Sequence, residues 1–347
     1  MAKSLSSRTF DQLKSWNADW SGLRVLVIGL GETGFAVVDT LLELGCQVDV
    51  LANDALTERR ALAEIIGARV FLSTDPGTES LLAESMPDLV VTSPGIESHC
   101  PTLKQALSLG LEVWSDLEVA WRTRDKIGLA ADWIMVLESP ESKLILEISH
   151  EILSRAGQLS RVVGFESPPL LDALRDPNPY ECLQIAVKAS SLVWRKRFPI
   201  SPISPLVTVS LSDQTSDPGG VFFDGTSLAC VYKKNIGPSE KEVRLAEVNP
   251  GARAIGLGLD SPAMSDLGIV EGILVDRAFL DNRANEALEI VTIEELTKFG
   301  WKIPEHLTTV LAAVAIARSR EVSPVIIAEI LANPRDLWID KNLSGAP

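Results

Sequence analysis

The segment RVLVIGLGETGFAVVDTLLELG, residues 24–45, constrains this chain most. An apolar run of strand length, Leu23–Ile28, ends in Gly29-Leu30-Gly31-Glu32-Thr33-Gly34 and passes directly into helical spacing over Phe35–Leu44. A strand that feeds a helix through a glycine turn opens a βαβ unit, which needs parallel neighbours and helical cover on both faces. Four more strand-length runs follow: Val48–Leu51, Val70–Leu72, Leu89–Thr92 and Glu112–Trp114. They alternate with helical stretches such as Leu103–Leu109, so residues 23–126 read as a Rossmann-like parallel sheet domain after a lead-in over 1–22. Thr123-Arg-Asp-Lys126 suits a linker.

At 347 residues the chain has room for two domains. A second α/β unit is expected over 132–335, with a fraying tail over 336–347. Its strand candidates are Trp133–Leu137, Leu183–Val187 and Leu206–Leu211, with later β segments in Gly272–Leu280 and Ala287–Ile293. Glu305–Arg318 reads as an amphipathic helix, and Pro324–Leu331 as another.

A net charge of −15 argues against nucleic-acid binding, which runs on Lys and Arg neutralising phosphates. It leaves open a nucleotide held by backbone donors. No apolar run is long enough for a membrane span, and the N-terminus lacks a signal core, so a cytoplasmic protein is expected. Cys46, Cys100, Cys182 and Cys230 form no CxxC pair and read as reduced thiols; His99, His150 and His306 show no metal-ligand spacing, and no metal site is expected.

The glycine turn has three readings. Its backbone donors and helix N-terminus suit a nucleotide or diphosphate. NAD would also want an acidic residue about 20 positions on, and where the strand register puts that carboxylate stands Ala52, followed by Asn53 and Asp54. Close helix–strand packing alone is the third. A second turn, Thr92-Ser93-Pro94-Gly95-Ile96, falls at the carboxyl edge of the same sheet, where ligands of such sheets bind.

Residues 133–147, WIMVLESPESKLILE, have the strand–loop–helix frame of a phosphate-binding loop without its chemistry. Such a loop needs glycines, whose backbone N–H groups wrap phosphates, and a lysine for the terminal ones. Here stand Glu138, Ser139, Pro140, Glu141 and Ser142. Ser139 suits an N-cap, Pro140 a first helical position, and Glu141 a first turn. The expectation is a helix start that satisfies itself.

Taken together, RVLVIGLGETGFAVVDTLLELG, DLVVTSPGI, VWSDLEVAWR, SPPLLDALRDP and LGIVEGILVDRAFLDNR resemble the Mur ligase family, nearest its D-glutamate-adding, MurD-like branch, over Leu23 to about Arg335. The resemblance implies a UDP-sugar-binding first domain followed by a Mur-ligase central α/β domain of P-loop NTPase type. It implies that Gly31, Glu32, Thr33 and Gly34, after the Gly29 turn, face a diphosphate. Asn53, Ser93, Pro94 and Gly95 would line a uridine pocket. Ala52 replaces the family's usual acidic residue.

Against the same family the central domain departs at several places. The family's TGTNGKTTT frame falls on Leu137–Ile145, with Glu138 and Glu141 for glycines, Ser142 for the lysine, and Lys143 one residue late. Lys188 stands for a magnesium-binding carboxylate and could pair with Glu138 or Glu141. Gly164-Phe-Glu-Ser167 stands for a substrate-binding GNxG turn. The segment with the metal-bridging lysine is missing between Gly220 and Ala229, and His306 and Thr309 stand for asparagines that hold the adenine nucleotide. The family's third domain is expected to be absent. The resulting expectation is a peptidoglycan-precursor pseudoenzyme with a UDP-N-acetylmuramoyl-type ligand, no ATP or magnesium cofactor, and a cell-wall synthesis protein as partner. The alternatives are an active ligase completed by another chain, an NAD-linked oxidoreductase, and a structural protein without a ligand.

Overall fold

The computed structural model describes residues 10–53, 57–75, 81–96, 99–164, 168–192, 200–209 and 222–333. They fall into two compact units.

The first unit is built on β1 (Arg24–Ile28), β2 (Gln47–Ala52), β3 (Arg69–Leu72), β4 (Leu89–Thr92) and β5 (Glu112–Ser115). Its helices are α1 (Glu32–Glu43), α2 (Thr57–Ile65), α3 (Leu81–Ser85), α4 (Pro101–Ser108) and α5 (Asp116–Arg122). All strand pairings are parallel, in the order β3-β2-β1-β4-β5. The buried residues of β1 and β4 are apolar except Thr92, because helices cover both faces of the sheet. The chain order reverses between β1 and β4, and such a switch point leaves a crevice at the strands' carboxyl ends.

The N-terminal lead-in packs onto this unit. Leu13 and Trp20 are buried, and Phe10 and Trp20 meet the Trp114 ring edge-on at 5.5 and 6.3 Å. Arg122 stacks 4.0 Å from that ring, pairs with Glu118 at 2.8 Å, and donates to Phe10 O and Leu13 O. One guanidinium thus serves the ion pair and two carbonyls, which is what makes burying it tolerable.

The chain continues through β6 (Asp132–Leu137), α6 (Ser142–Arg155), β7 (Ser160–Val163), α7 (Leu170–Arg175), β8 (Cys182–Val187), α8 (Ala189–Leu192) and β9 (Ser204–Val207), of which α7 and most of α8 belong to the first unit and the others to the second. It continues with β10 (Ala229–Lys233), α9 (Gly237–Leu245), β11 (Arg253–Leu257), β12 (Asp266–Val270), β13 (Ile273–Asp276) and β14 (Leu288–Thr292). The last helices are α10 (Ile293–Lys298), α11 (Leu307–Ser319) and α12 (Pro324–Leu331). The sheet order is β14-β13-β12-β11-β10-β9-β6-β8-β7. It is parallel from β7 to β12 and antiparallel from β12 to β14. β6 lies deep in it, buried from Trp133 to Leu137.

Three features differ from the sequence reading. The chain does not divide at a single point, because 168–178 and 190–200 belong to the first unit. Arg175 ties 168–178 to α1, pairing with Asp39 at 2.5 Å and Glu43 at 3.1 Å. α11 is not amphipathic, since Leu307 and nearly every residue from Thr309 to Ala317 are buried, which is the pattern of a helix covered all round. The antiparallel edge β12–β14 is only partly visible in the sequence, where Gly272–Leu280 and Ala287–Ile293 read as β segments and β12 is not distinguished. Among the described residues no helix is long and apolar enough to cross a membrane.

Candidate functional site

At the switch point the ladder runs one residue past each strand. Gly29 N–H donates to Leu51 O at 2.8 Å, and Ser93 N–H to Ile28 O at 3.0 Å. Gly29 sits at φ +101°, in the left-handed region that favours glycine. A Cβ on Gly34 would lie 2.3 Å from Gly29 O and 2.7 Å from Ser93 Oγ. Both glycines are therefore required by packing alone. Gly31 is different: a Cβ there would meet nothing within 4 Å, and its backbone is extended. It is the N-cap of α1, and no side chain caps the helix. Gly31, Glu32, Thr33 and Gly34 thus form an uncapped helix start, and such a start favours an anion.

Ser93 is not among the residues that line the cavity beside these turns. It is buried, and its hydroxyl donates to Ile28 O at 3.0 Å and Gly29 O at 3.1 Å, which locks the two turns together. Pro94 follows it, half-buried, and Gly95 has φ +91° and donates its N–H to Ser190 Oγ at 3.1 Å.

Beside these turns lies a cavity of about 760 Å³. Ile28, Leu51, Ile96 and Pro101 give it apolar walls. Asn53, Ser73, Gly95, His99, Cys100, Thr102 and Gln105 supply polar groups. Polar groups that converge between apolar walls suit a small-molecule site. Asn53 and Gly95 are thus brought together, whereas Ala52 is buried at the end of β2 and presents nothing; Asp54 lies outside the described residues. The sequence reading missed the wall from His99 to Gln105. Pro101 at the first turn of α4 was the available signal, since it marks a helix start at a strand's carboxyl end. It also missed Arg59 of α2, whose guanidinium comes within 3.8 Å of Glu32 and so stands by the α1 N-terminus.

The loop after β6 is closed by its own side chains. Ser142, wholly buried, accepts the Ser139 N–H and donates to Leu137 O at 2.9 Å. Ser139 Oγ lies 2.9 Å from Ser142 Oγ and 3.2 Å from Thr208 Oγ1. Glu138 N–H donates to Val187 O at 2.9 Å. Amide donors that a phosphate cradle would offer are thus engaged. One expectation is corrected: α6 starts at Ser142 with Glu141 as N-cap, so Ser139 and Pro140 are not its cap and first residue. The Ser142 hydroxyl reaches back and holds 139–142 as a separate turn, closed by Ser142 N–H to Ser139 O at 3.1 Å. Glu141 keeps a buried Oε2 that has no hydrogen-bond partner among the described residues. Burial pushes the Glu138 carboxyl up, and the Lys188 charge acts against that shift.

Thr309 is buried within α11. His306 is the N-cap residue of α11; its Nδ1 accepts the Lys302 N–H at 3.2 Å and its ring meets Trp301 edge-on at 5.8 Å. Burial, then Lys302, hold its pKa below the usual value. Gly164 has φ +88°, while residues 165–167 and 220–221 lie outside the described residues. Burial pushes the Cys182 thiol up to about 12 and Cys230 up to about 11, so both are protonated and inert at neutral pH.

A model of the Mur ligase MurD-like N-terminal domain matches residues 23–115, the stretch that holds the glycine turn, Asn53 and the Ser93 turn. UDP-N-acetylmuramoylalanine–D-glutamate ligase of Leifsonia xyli is 38% identical over 92% of this chain and 66% of its own length. The enzyme of that name from Tropheryma whipplei (strain Twist) is 33% identical over 92% of this chain and 68% of its own. The chain belongs to the Mur ligase family. It spans about two thirds of the length of these relatives. A UDP-N-acetylmuramate:L-alanyl-γ-D-glutamyl-meso-diaminopimelate ligase from Neisseria meningitides shares the fold, with a TM-score of 0.52 at 14% identity over 90% of this chain and 98% of that one. A murein peptide ligase from Psychrobacter arcticus gives 0.50 at 11% identity over 90% and 68%. As a Mur ligase family member, this chain is MurD-like in the unit that carries the cavity.

Proposed function

We propose that this MurD-like protein binds a UDP-N-acetylmuramoyl-type precursor of peptidoglycan at its first unit and does not carry out ATP-dependent ligation. The single observation that carries the second half is the Ser142 hydroxyl, buried and bonded to Ser139 N–H and Leu137 O where a phosphate loop keeps a lysine and open amides. Glu138 and Glu141 add two carboxylates beside the place a triphosphate would occupy, a like-charge contact that binding would have to overcome. The first half is supported by the uncapped α1 start, by Gly31 with open space where its side chain would be, and by the cavity that Asn53 and Gly95 line. The diphosphate would sit at Gly31–Gly34 and the nucleoside in the cavity.

The second reading is an active UDP-N-acetylmuramoylalanine–D-glutamate ligase that works with a complementing chain. It is favoured by 38% identity to an enzyme of that name over 92% of this chain. Radiolabelled D-glutamate incubated with UDP-N-acetylmuramoyl-L-alanine and ATP-Mg separates the two. The proposed reading expects the UDP-sugar to bind and no labelled product to form. Labelled product from the purified chain, or from the chain with an added cell fraction, would favour the second reading instead.

A further inference from the structure

Helix α4 forms one wall of the cavity beside the glycine turn. Pro101 opens the helix, and Thr102 and Gln105 line the cavity from it. They stand three residues apart and so share one helix face. Leu103 and Ala106, one position on from each, go into the hydrophobic core. Thr102 is half-buried and Gln105 is exposed. Neither side chain has a hydrogen-bond partner among the described residues, and the same holds for Asn53 after β2. Their polar groups are open to whatever enters the cavity.

The rest of the lining narrows what that is. Ile28, Leu51, Ile96 and Pro101 are apolar, and among the described residues no lysine, arginine or carboxylate lines the cavity. A charged group entering here would lose water and gain no ion pair, which disfavours phosphates and carboxylates. A neutral flat ring suits the space, with its faces on the apolar walls and its edge toward the free amides. A carboxamide carries two donors on its nitrogen and an acceptor oxygen. One amide can therefore serve a neighbouring donor and acceptor on the edge of a base. Uracil has such an edge, N3–H beside the O4 carbonyl.

We propose that Gln105 is a specificity-determining residue for the nucleoside. Its amide oxygen accepts from uracil N3–H, and its NH2 group donates to O4. The inference rests on the binding of a UDP-type precursor proposed above and adds which side chain selects the base.

The test is calorimetric titration of the full chain with UDP and with N3-methyl-UDP, which lacks the N3–H donor. Wild type is expected to bind UDP about tenfold more tightly, the worth of two neutral hydrogen bonds. Gln105→Leu should weaken UDP by a similar factor and treat the two ligands nearly alike. Gly31→Ala should weaken both ligands and keep the preference. Occupancy is read independently at Cys100, a half-buried thiol of the same wall, whereas Cys46, Cys182 and Cys230 are buried. UDP should slow its alkylation by N-ethylmaleimide, and inorganic pyrophosphate should not.

Equal affinity of wild type for the two ligands would overturn the proposal. So would a preference for UDP that survives in Gln105→Leu, or an alkylation rate that UDP leaves unchanged. With any of these, UDP binding that Gly31→Ala weakens would still leave the diphosphate at Gly31–Gly34. No saturable UDP binding by wild type would instead remove the proposed function, and this inference with it.

Discussion

Ser142 Oγ takes the N–H of Ser139 and lies 2.9 Å from the Ser139 hydroxyl, so a helix start that suits phosphate is closed from within. The relation is local, three residues apart, and the function proposed above rests on it. A free helix N-terminus offers amide donors; here the serine pair and the Val187 carbonyl use donors of that stretch.

Ser142→Ala leaves the Ser139 N–H and the Leu137 carbonyl without this partner in a buried loop. A loss of about 1–3 kcal/mol is expected. Urea unfolding of the two proteins measures it, with an unchanged slope if the fold is kept.

Gly34→Ala and Gly31→Ala should separate packing from binding. A Cβ on Gly34 would lie 2.3 Å from Gly29 O, so the first should cost about 1–3 kcal/mol or more. A Cβ on Gly31 meets nothing, so the second should change stability by no more than about 1 kcal/mol. It should nevertheless weaken UDP-sugar affinity, because the methyl occupies the approach to the α1 amides. Melting curves and a UDP titration on both variants check this.

Arg59 stands 3.8 Å from Glu32 at the α1 start. If a diphosphate sits there, Arg59→Ala should weaken UDP binding about three- to tenfold, and added salt should narrow the difference between the two proteins. Equal affinities at low salt would place the diphosphate elsewhere.

Glu242 of α9 is 3% exposed, and burial, then the charge of Asp224, push its carboxyl up to about 7. The folded chain therefore holds this proton more tightly than the unfolded chain, where a glutamate titrates near 4.3. Its contribution is present below that ordinary value and is lost as pH rises toward 7. Glu242→Gln should stabilise the protein at pH 8 by about 1–3 kcal/mol relative to wild type and flatten stability between pH 5 and 8, as read by denaturation across pH.

The first sheet was legible because its strands are continuous apolar runs: Leu89–Thr92 was read with the bounds that β4 has. The second was harder. β10, β11 and β12 were not singled out, since short strands in a buried sheet carry no alternation to count. The return of 168–178 to the first unit rests on Arg175 meeting Asp39 and Glu43, contacts across more than 130 residues that no local pattern encodes. At the site, the glycine turn was visible, but packing demands Gly29 and Gly34 while leaving Gly31 free, a distinction that only coordinates make. Ser93 was expected in the pocket and serves instead as a brace, because its hydroxyl finds two carbonyls beneath it. The glycine-free loop after β6 is visible in residue types, and its closure by Ser142 rather than Ser139 follows from which hydroxyl is buried.

Equilibrium binding of ATP-Mg to the full chain tests the central claim most directly. No saturable binding is expected at millimolar ATP-Mg in the same preparation that binds the UDP-sugar. Saturable ATP-Mg binding that weakens when Lys143 is replaced by alanine would contradict it, because the loop would then open to take the phosphates.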